Sequence, residues 1–136
     1  MAGAALSAPY FAASGYGLMT LTIFWFFSPV CHQDPARSFW IFGGPVAICA
    51  RCLGIYLGAA AGAWIPVPRP VLLSGLALFA ALNLADILTE AAAWHGNWKL
   101  TRLLLGALLG LAAGALVANA MKRDVLHVAA ADQSSL

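Results

Sequence analysis

Four apolar stretches, each about 20 residues long, constrain the fold of this sequence more than any other feature. They cover about residues 10–30, 46–65, 71–88 and 100–120. A helix that crosses a membrane needs roughly 20 mostly apolar residues. The backbone inside hydrocarbon must satisfy its hydrogen bonds within each segment, and these runs are too long and unbroken for barrel strands. We therefore expect an all-α, polytopic membrane protein with a bundle of four transmembrane helices.

Composition supports a membrane location, since the 136-residue chain is 62% hydrophobic and only 9% charged. A water-soluble core of this size cannot bury so much apolar surface. We divide the chain into an N-terminal segment (1–9), a transmembrane domain (10–120) and a polar C-terminal tail (121–136). The start lacks the basic region of a secretory signal, so the first helix is expected to be retained. The net charge of +2 indicates no nucleic-acid partner; the expected partner is the lipid bilayer.

Small residues recur at every fourth position of the second and fourth apolar stretches. Such stripes let helix backbones approach closely where lipid provides no hydrophobic drive for association. The pattern predicts that these two helices pack against each other in the centre of the bundle. The glycines are Gly54, Gly58, Gly62, Gly106, Gly110 and Gly114.

Four alternating crossings would bring most chemically interesting side chains to one side of the membrane. Three ionisable residues, Arg51, Asp86 and Arg102, lie inside or at the edge of the apolar stretches, where such groups are costly and usually face a partner or a wet cavity. We expect Asp86 to pair with Arg102, either to fix helix packing or as part of an anion site, with Arg37 in the same polar cluster. By contrast, Glu90, His95 and Lys99 are predicted to be solvated loop residues.

Three cysteines on the same side indicate a binding site. Cys49 and Cys52 are three residues apart, so they share one helix face near the helix start, where thiolates are stabilised; Pro45 is expected to be the first helical residue. Cys31 can reach the same level, next to His32. Three thiols and an imidazole suit zinc or another transition metal. Because neighbouring residues seldom point the same way, the fourth ligand is left open among His32, Asp86, water and a substrate.

Two other interpretations of the cysteines are considered. A CxxC pair at a helix start with a third, resolving cysteine would also serve thiol–disulfide exchange. Alternatively, the three residues are small buried hydrophobes without reactivity. Their clustering at one membrane level favours a site over the inert alternative.

Two motifs carry a resemblance to a known family. CHQxPxRSFxIxG at 31–43 and CARCxGIYxG at 49–58 resemble the small bacterial and archaeal predicted membrane proteins grouped as domain of unknown function 2085. Asp86 and the RxxxGxxxG pattern that begins at Arg102 look like a second block of that family. The resemblance covers about residues 20–115. One departure is Ile87, where relatives often have glycine.

The resemblance implies a membrane fold and a set of residues, but no reaction. It also implies a prokaryotic cell membrane, the inner membrane, and basic residues weakly favour cytoplasmic termini. The implied set is Cys31, His32, Gln33, Pro35, Arg37, Ser38, Cys49, Arg51, Cys52, Gly54, Tyr56, Gly58, Asp86 and Arg102.

The function predicted from sequence is transition-metal binding by Cys31, His32, Cys49 and Cys52 at one membrane face. In this hypothesis Arg51 and Arg102 attract an anionic group. The first alternative is an accessory or assembly subunit, which would bind a larger membrane complex or a second copy of itself. The second alternative is a membrane thiol–disulfide oxidoreductase. The sequence assigns no enzymatic activity.

Overall fold

Five α-helices make up most of the computed structural model, which describes residues 1–92, 96 and 98–133, with side chains to residue 125. A single turn of 3₁₀ helix (Pro35–Arg37) and a short antiparallel hairpin of β1 (Trp40–Ile41) and β2 (Gly44–Pro45) separate the second and third helices. The helices are α1 (Ala2–Ala13), α2 (Gly17–Phe27), α3 (Ala50–Gly62), α4 (Arg69–Ala91) and α5 (Lys99–Gln133).

Within the described residues, two helices are long and apolar enough to cross a membrane. They are α4 and the Lys99–Val125 part of α5. The predicted bundle of four spans is therefore not confirmed, although the chain is mainly helical. The hairpin also adds a small β element to the expected all-α fold.

The first predicted helix, 10–30, is replaced by two shorter helices that form a helical hairpin. Gly15 has a φ of +80°, and the turn around it directs the amides of Ser14 and Tyr16 to carbonyls in the last turns of α1. Glycine adopts this conformation without steric cost, so it ends the helix. At about 1.5 Å per residue, α1 and α2 are each too short to cross about 30 Å of hydrocarbon. Most of the predicted N-terminal segment (1–9) lies inside α1.

The second predicted helix, 46–65, begins four residues late and ends three residues early. The amide of Val46 donates to the carbonyl of Phe39, and that of Ala47 donates to the carbonyl of Ala5. These backbone groups are therefore committed to other elements, which keeps Pro45 in β2 and starts α3 at Ala50. At the other end, the prolines of the PVPRP linker (66–70) prevent continuation of the helix.

The glycine stripes bring α3 and α5 together in parallel. A Cβ added at Gly54, Gly58 or Gly62 would lie less than 3.0 Å from backbone atoms near Leu103, Ala107 or Leu111, respectively. The α5 glycines Gly106, Gly110 and Gly114 meet the backbone of α3 in the same way. The two backbones are thus in direct contact along the stripes, and no side chain fits between them.

Helix α4 packs antiparallel to α5. The side-chain amide of Asn83 donates to the carbonyl of Leu105, and that of Asn119 donates to the carbonyl of Val67, which precedes α4. The end of α4 and the start of α5 therefore lie near the start of α3. We call this the thiol end of the molecule, because Cys49 and Cys52 lie there.

The predicted C-terminal tail (121–136) is largely part of α5, which continues to Gln133 rather than ending near residue 120. The segment between 115 and 133 contains neither glycine nor proline and is rich in alanine. Good helix formers sustain the helix even after the sequence becomes polar.

Candidate metal centre and charged network

Three thiols from separate parts of the fold meet at the thiol end. Cys31 follows α2, Cys49 is the residue before α3, and Cys52 lies in the first turn of α3. Their sulfur atoms all lie within 4.8 Å of one another, and all three cysteines are free. Sulfurs that share a tetrahedral zinc ion at about 2.3 Å lie about 3.8 Å apart. A contraction of about an ångström therefore suffices for ligation by all three.

Local backbone geometry holds Cys31 against the start of α3. The amide of Cys49 donates a hydrogen bond to the sulfur of Cys31 at 3.2 Å. Gln33 adopts a left-handed φ of 52°, and its side-chain amide donates to the carbonyl of Phe24 at 2.6 Å, which closes the turn after α2. The extended conformation of Cys49, φ −70° and ψ 159°, leaves its amide free for this bond instead of for a helical one.

The thiols lie at the edge of the main hydrophobic cluster. Cys31 is buried, whereas Cys49 and Cys52 are partly buried. Phe27 and Ile48 are almost fully buried beside them. One side of the cysteine cluster is therefore dry, and this favours thiolate–metal bonds over competing bonds to water.

Hydrogen bonding favours the thiolate form of Cys31. Bonds from the thiols of Cys49 and Cys52, together with the amide of Cys49, lower the pKa of the Cys31 thiol to about 2, although burial opposes the shift. A thiolate is the form that binds metals and attacks disulfides.

His32 lies outside the group of metal-ligand atoms that includes the three sulfurs. Its side chain is exposed. Adjacent residues at the end of a helix point in different directions, and here Cys31 turns inward while His32 turns outward. The structure therefore brings together three of the four predicted metal ligands.

A network of ion pairs lies beside the thiols, where α3, α4 and α5 meet. The guanidinium of Arg51 pairs with the carboxylate of Asp86. Arg102, which is almost fully buried, has its Nε 3.6 Å from Asp86 and its Nη2 2.5 Å from Glu90. Arg37 extends the network from the loop, 3.3 Å from Glu90. Three guanidiniums and two carboxylates thus link the loop to three helices.

The predicted pairing of Asp86 with Arg102 is present, and Arg51 competes for the same carboxylate oxygen. Glu90 differs from its prediction as a loop residue, since it lies in the last turn of α4 and pairs with two arginines. The signal for this role was its spacing of four residues from Asp86, which places both carboxylates on one helix face. His95 lies outside the described residues.

Sequence analysis also missed Asn83, one turn before Asp86 along α4. Its side chain is 5% exposed, and its amide group bridges the carbonyls of Phe79 and Leu105. A buried amide in an apolar helix requires such partners. A lone asparagine inside an apolar stretch was the available signal.

Comparison with known proteins supplies the family. The family described as predicted membrane protein (DUF2085) matches residues 31–116, which include all three cysteines, Asp86 and Arg102. The protein belongs to this family.

Two archaeal relatives are themselves uncharacterized proteins. One, from Methanocaldococcus jannaschii, is 45% identical over 60 residues, or 40% of this chain and 38% of the relative. The other, from Methanothermobacter thermautotrophicus, is 28% identical over 107 residues, or 75% of this chain and 96% of the relative. The chain thus spans little more than a third of the first relative. No solved structure matches it.

Proposed function

We propose that this membrane protein binds a thiophilic transition-metal ion, with zinc as the type case, through Cys31, Cys49 and Cys52. The observation that carries the proposal is the convergence of three free thiols within 4.8 Å from segments up to 21 residues apart (52 − 31). Thiolates are the ligands that zinc and other soft metals prefer. A fourth position would remain for water, a substrate or another side chain.

Charge supports the same assignment. A divalent ion bound to three thiolates carries a net charge of −1 (2 − 3), which needs compensation at a partly buried site. Arg51 lies in the chain between Cys49 and Cys52 and is 19% exposed. The guanidinium of Arg51 forms an ion pair with Asp86, so the proposed metal centre and the ion-pair network are neighbours in the fold.

Metal analysis tests the proposal. The full chain, purified anaerobically under reducing conditions, should contain about one equivalent of metal by elemental analysis, in line with one three-sulfur site. Cys31→Ser, Cys49→Ser and Cys52→Ser should each lose most of it. Ser28→Ala, an exposed change on the same loop as Cys31, is the matched control and should retain it.

The role of His32 is tested separately. His32→Ala should keep the metal if the exposed imidazole is not a ligand, and should lose affinity if metal binding draws it inward. Wild-type protein without stoichiometric metal, or cysteine variants that bind as much metal as wild type, would contradict the metal-binding function.

Thiol–disulfide exchange is the second candidate, favoured by the low pKa of Cys31 and by the neighbouring thiols. In this reaction the Cys31 thiolate attacks a partner's disulfide, and a second cysteine then displaces the partner. A disulfide forms here while the partner's disulfide is reduced to two thiols. Alkylation trapping of cells should reveal the oxidised form if this reaction operates, and only reduced thiols if it does not.

We also retain the prediction that the protein works as an accessory subunit or self-associates in a prokaryotic inner membrane. Many large apolar side chains on α2 and α4 are exposed, including Leu21, Trp25 and Leu84. Lipid or another membrane protein would cover them. Native purification that yields a single, unpartnered chain would remove the assembly hypothesis.

A further inference from the structure

A cleft lies at the end of the molecule opposite the thiols. It has a volume of about 660 Å³ and lies between the linker that precedes α4 and the later turns of α5. Val67 and Leu116 contribute apolar walls, and Asn119 holds the linker against α5 through its bond to the Val67 carbonyl. This volume falls within the range of small-molecule sites.

Three cations line the cleft, and we therefore call it the basic cleft. They are Arg69, Lys122 and Arg123. Asp124 is the one acidic residue in its lining, so the local charge is +2 (3 − 1). Within the part of the chain whose side chains are described, none of the three cations has a carboxylate within 4.0 Å. The cleft therefore attracts anions and offers donors that no described carboxylate occupies.

The basic cleft lies at the ends of the two helices that could cross a membrane. Arg69 is the first residue of α4, and Lys122 and Arg123 lie in the last turn of the Lys99–Val125 span. Both membrane-spanning candidates thus have one end at the cleft. The ends of helices that cross a membrane lie near the lipid head groups. Basic pockets between transmembrane helices bind anionic head groups.

We propose that the basic cleft binds the phosphate head group of an anionic phospholipid. Arg69, Lys122 and Arg123 contact the phosphate oxygens, while Val67, Leu116 and Val117 accommodate the glycerol and the first acyl carbons. Arginine suits this role because its planar fork pairs with phosphate oxygens. The site is independent of the metal centre proposed above.

Lipid exchange into nanodiscs tests the proposal with the full chain. Native mass spectrometry should show phosphatidylglycerol retained over phosphatidylcholine of the same acyl chains. Each cation near a membrane surface contributes a factor of about five in affinity, so Arg69→Gln should weaken phosphatidylglycerol binding about fivefold and the triple variant R69Q/K122Q/R123Q on the order of 100-fold. Lys99→Gln, which removes a cation at the thiol end, should leave binding unchanged.

Asp124→Asn is a second test, because it should tighten phosphatidylglycerol binding by removing the acidic residue from the cleft. Misfolding cannot produce such a gain. Equal retention of both lipids would overturn the proposal, as would an equal loss in Lys99→Gln and Arg69→Gln. Inorganic phosphate that binds in lipid-free detergent, together with equal retention of both lipids in nanodiscs, would assign the cleft to free phosphate instead of lipid.

Discussion

The thiol end and the basic cleft differ in how their positive charges are balanced. At the thiol end Arg37, Arg51 and Arg102 each lie within 4.0 Å of a carboxylate, and Arg102 is almost fully buried. Around the basic cleft the cations are exposed and, among the described side chains, make no ion pair. Burial makes an uncompensated charge very costly, whereas exposure to water or lipid head groups does not.

Neutralising Asp86 should give the largest difference between the two ends. Asp86→Asn removes the carboxylate that Arg51 and Arg102 share, and breaking a buried pair costs about 3–5 kcal/mol of unfolding free energy. Asp124→Asn makes the same chemical change at the basic cleft and should stay within about 0.5 kcal/mol. Unfolding of both variants in mixed micelles measures this, and similar losses would contradict the contrast.

A glycine-to-alanine change at the contact between α3 and α5 should cause the second largest loss of unfolding free energy. Gly58→Ala places a Cβ against the backbone of Ala107, so α3 and α5 must separate, at a cost of about 1–3 kcal/mol or more. Gly75→Ala is the matched control on α4, because its Cβ would meet Phe79 at an ordinary 3.7 Å. The control should be neutral or slightly stabilising, since alanine favours helix over glycine. A Gly58→Ala variant as stable as Gly75→Ala would rule out close backbone contact.

Changing the shape of a buried cation without changing its charge should have a smaller effect. Arg102→Lys keeps the positive charge but loses the fork that reaches both Asp86 and Glu90. Loss of one of these two ion-pair contacts leaves a partly buried carboxylate less well compensated, which predicts about 1–3 kcal/mol of destabilisation. Arg123→Lys at the basic cleft should leave unfolding unaffected. Denaturation curves with equal midpoints for the two variants would show that charge alone matters at the thiol end.

The exposed margin of the network should show the weakest effect. Arg37 is 46% exposed, so Arg37→Gln should cost less than about 1 kcal/mol. Salt screens such pairs, and the difference from wild type should disappear at high ionic strength. Unfolding measured at low and high salt tests this; a large, salt-independent loss would place Arg37 functionally among the buried arginines.

The membrane class and the main helices could be predicted because they depend on long apolar runs. The last two runs became α4 and α5, although α5 continues to Gln133, 13 residues beyond its predicted end (133 − 120). The first two did not follow the same rule, since a positive-φ glycine at position 15 splits one, and hydrogen bonds from Val46 and Ala47 to distant carbonyls shorten the other. Such long-range commitments of the backbone have no periodic signature in the sequence.

The cysteine cluster was more predictable than the charge network. The CxxC spacing brought Cys49 and Cys52 to one helix turn, and Cys31 joined them at the end of the preceding helix. Glu90 could not be assigned in the same way, because its partners Arg37 and Arg102 come from two other segments. Which of several nearby carboxylates turns inward depends on helix packing.

The parallel contact between α3 and α5 restricts which sequence changes this protein can accept during evolution. One inserted residue between Cys52 and Gly54 would rotate the rest of α3 by about 100° and swing its glycine stripe away from α5. Substitutions can alter the thiols and the stripe separately, but insertions and deletions cannot. We therefore expect length variation in the PVPRP linker after α3 and not within α3.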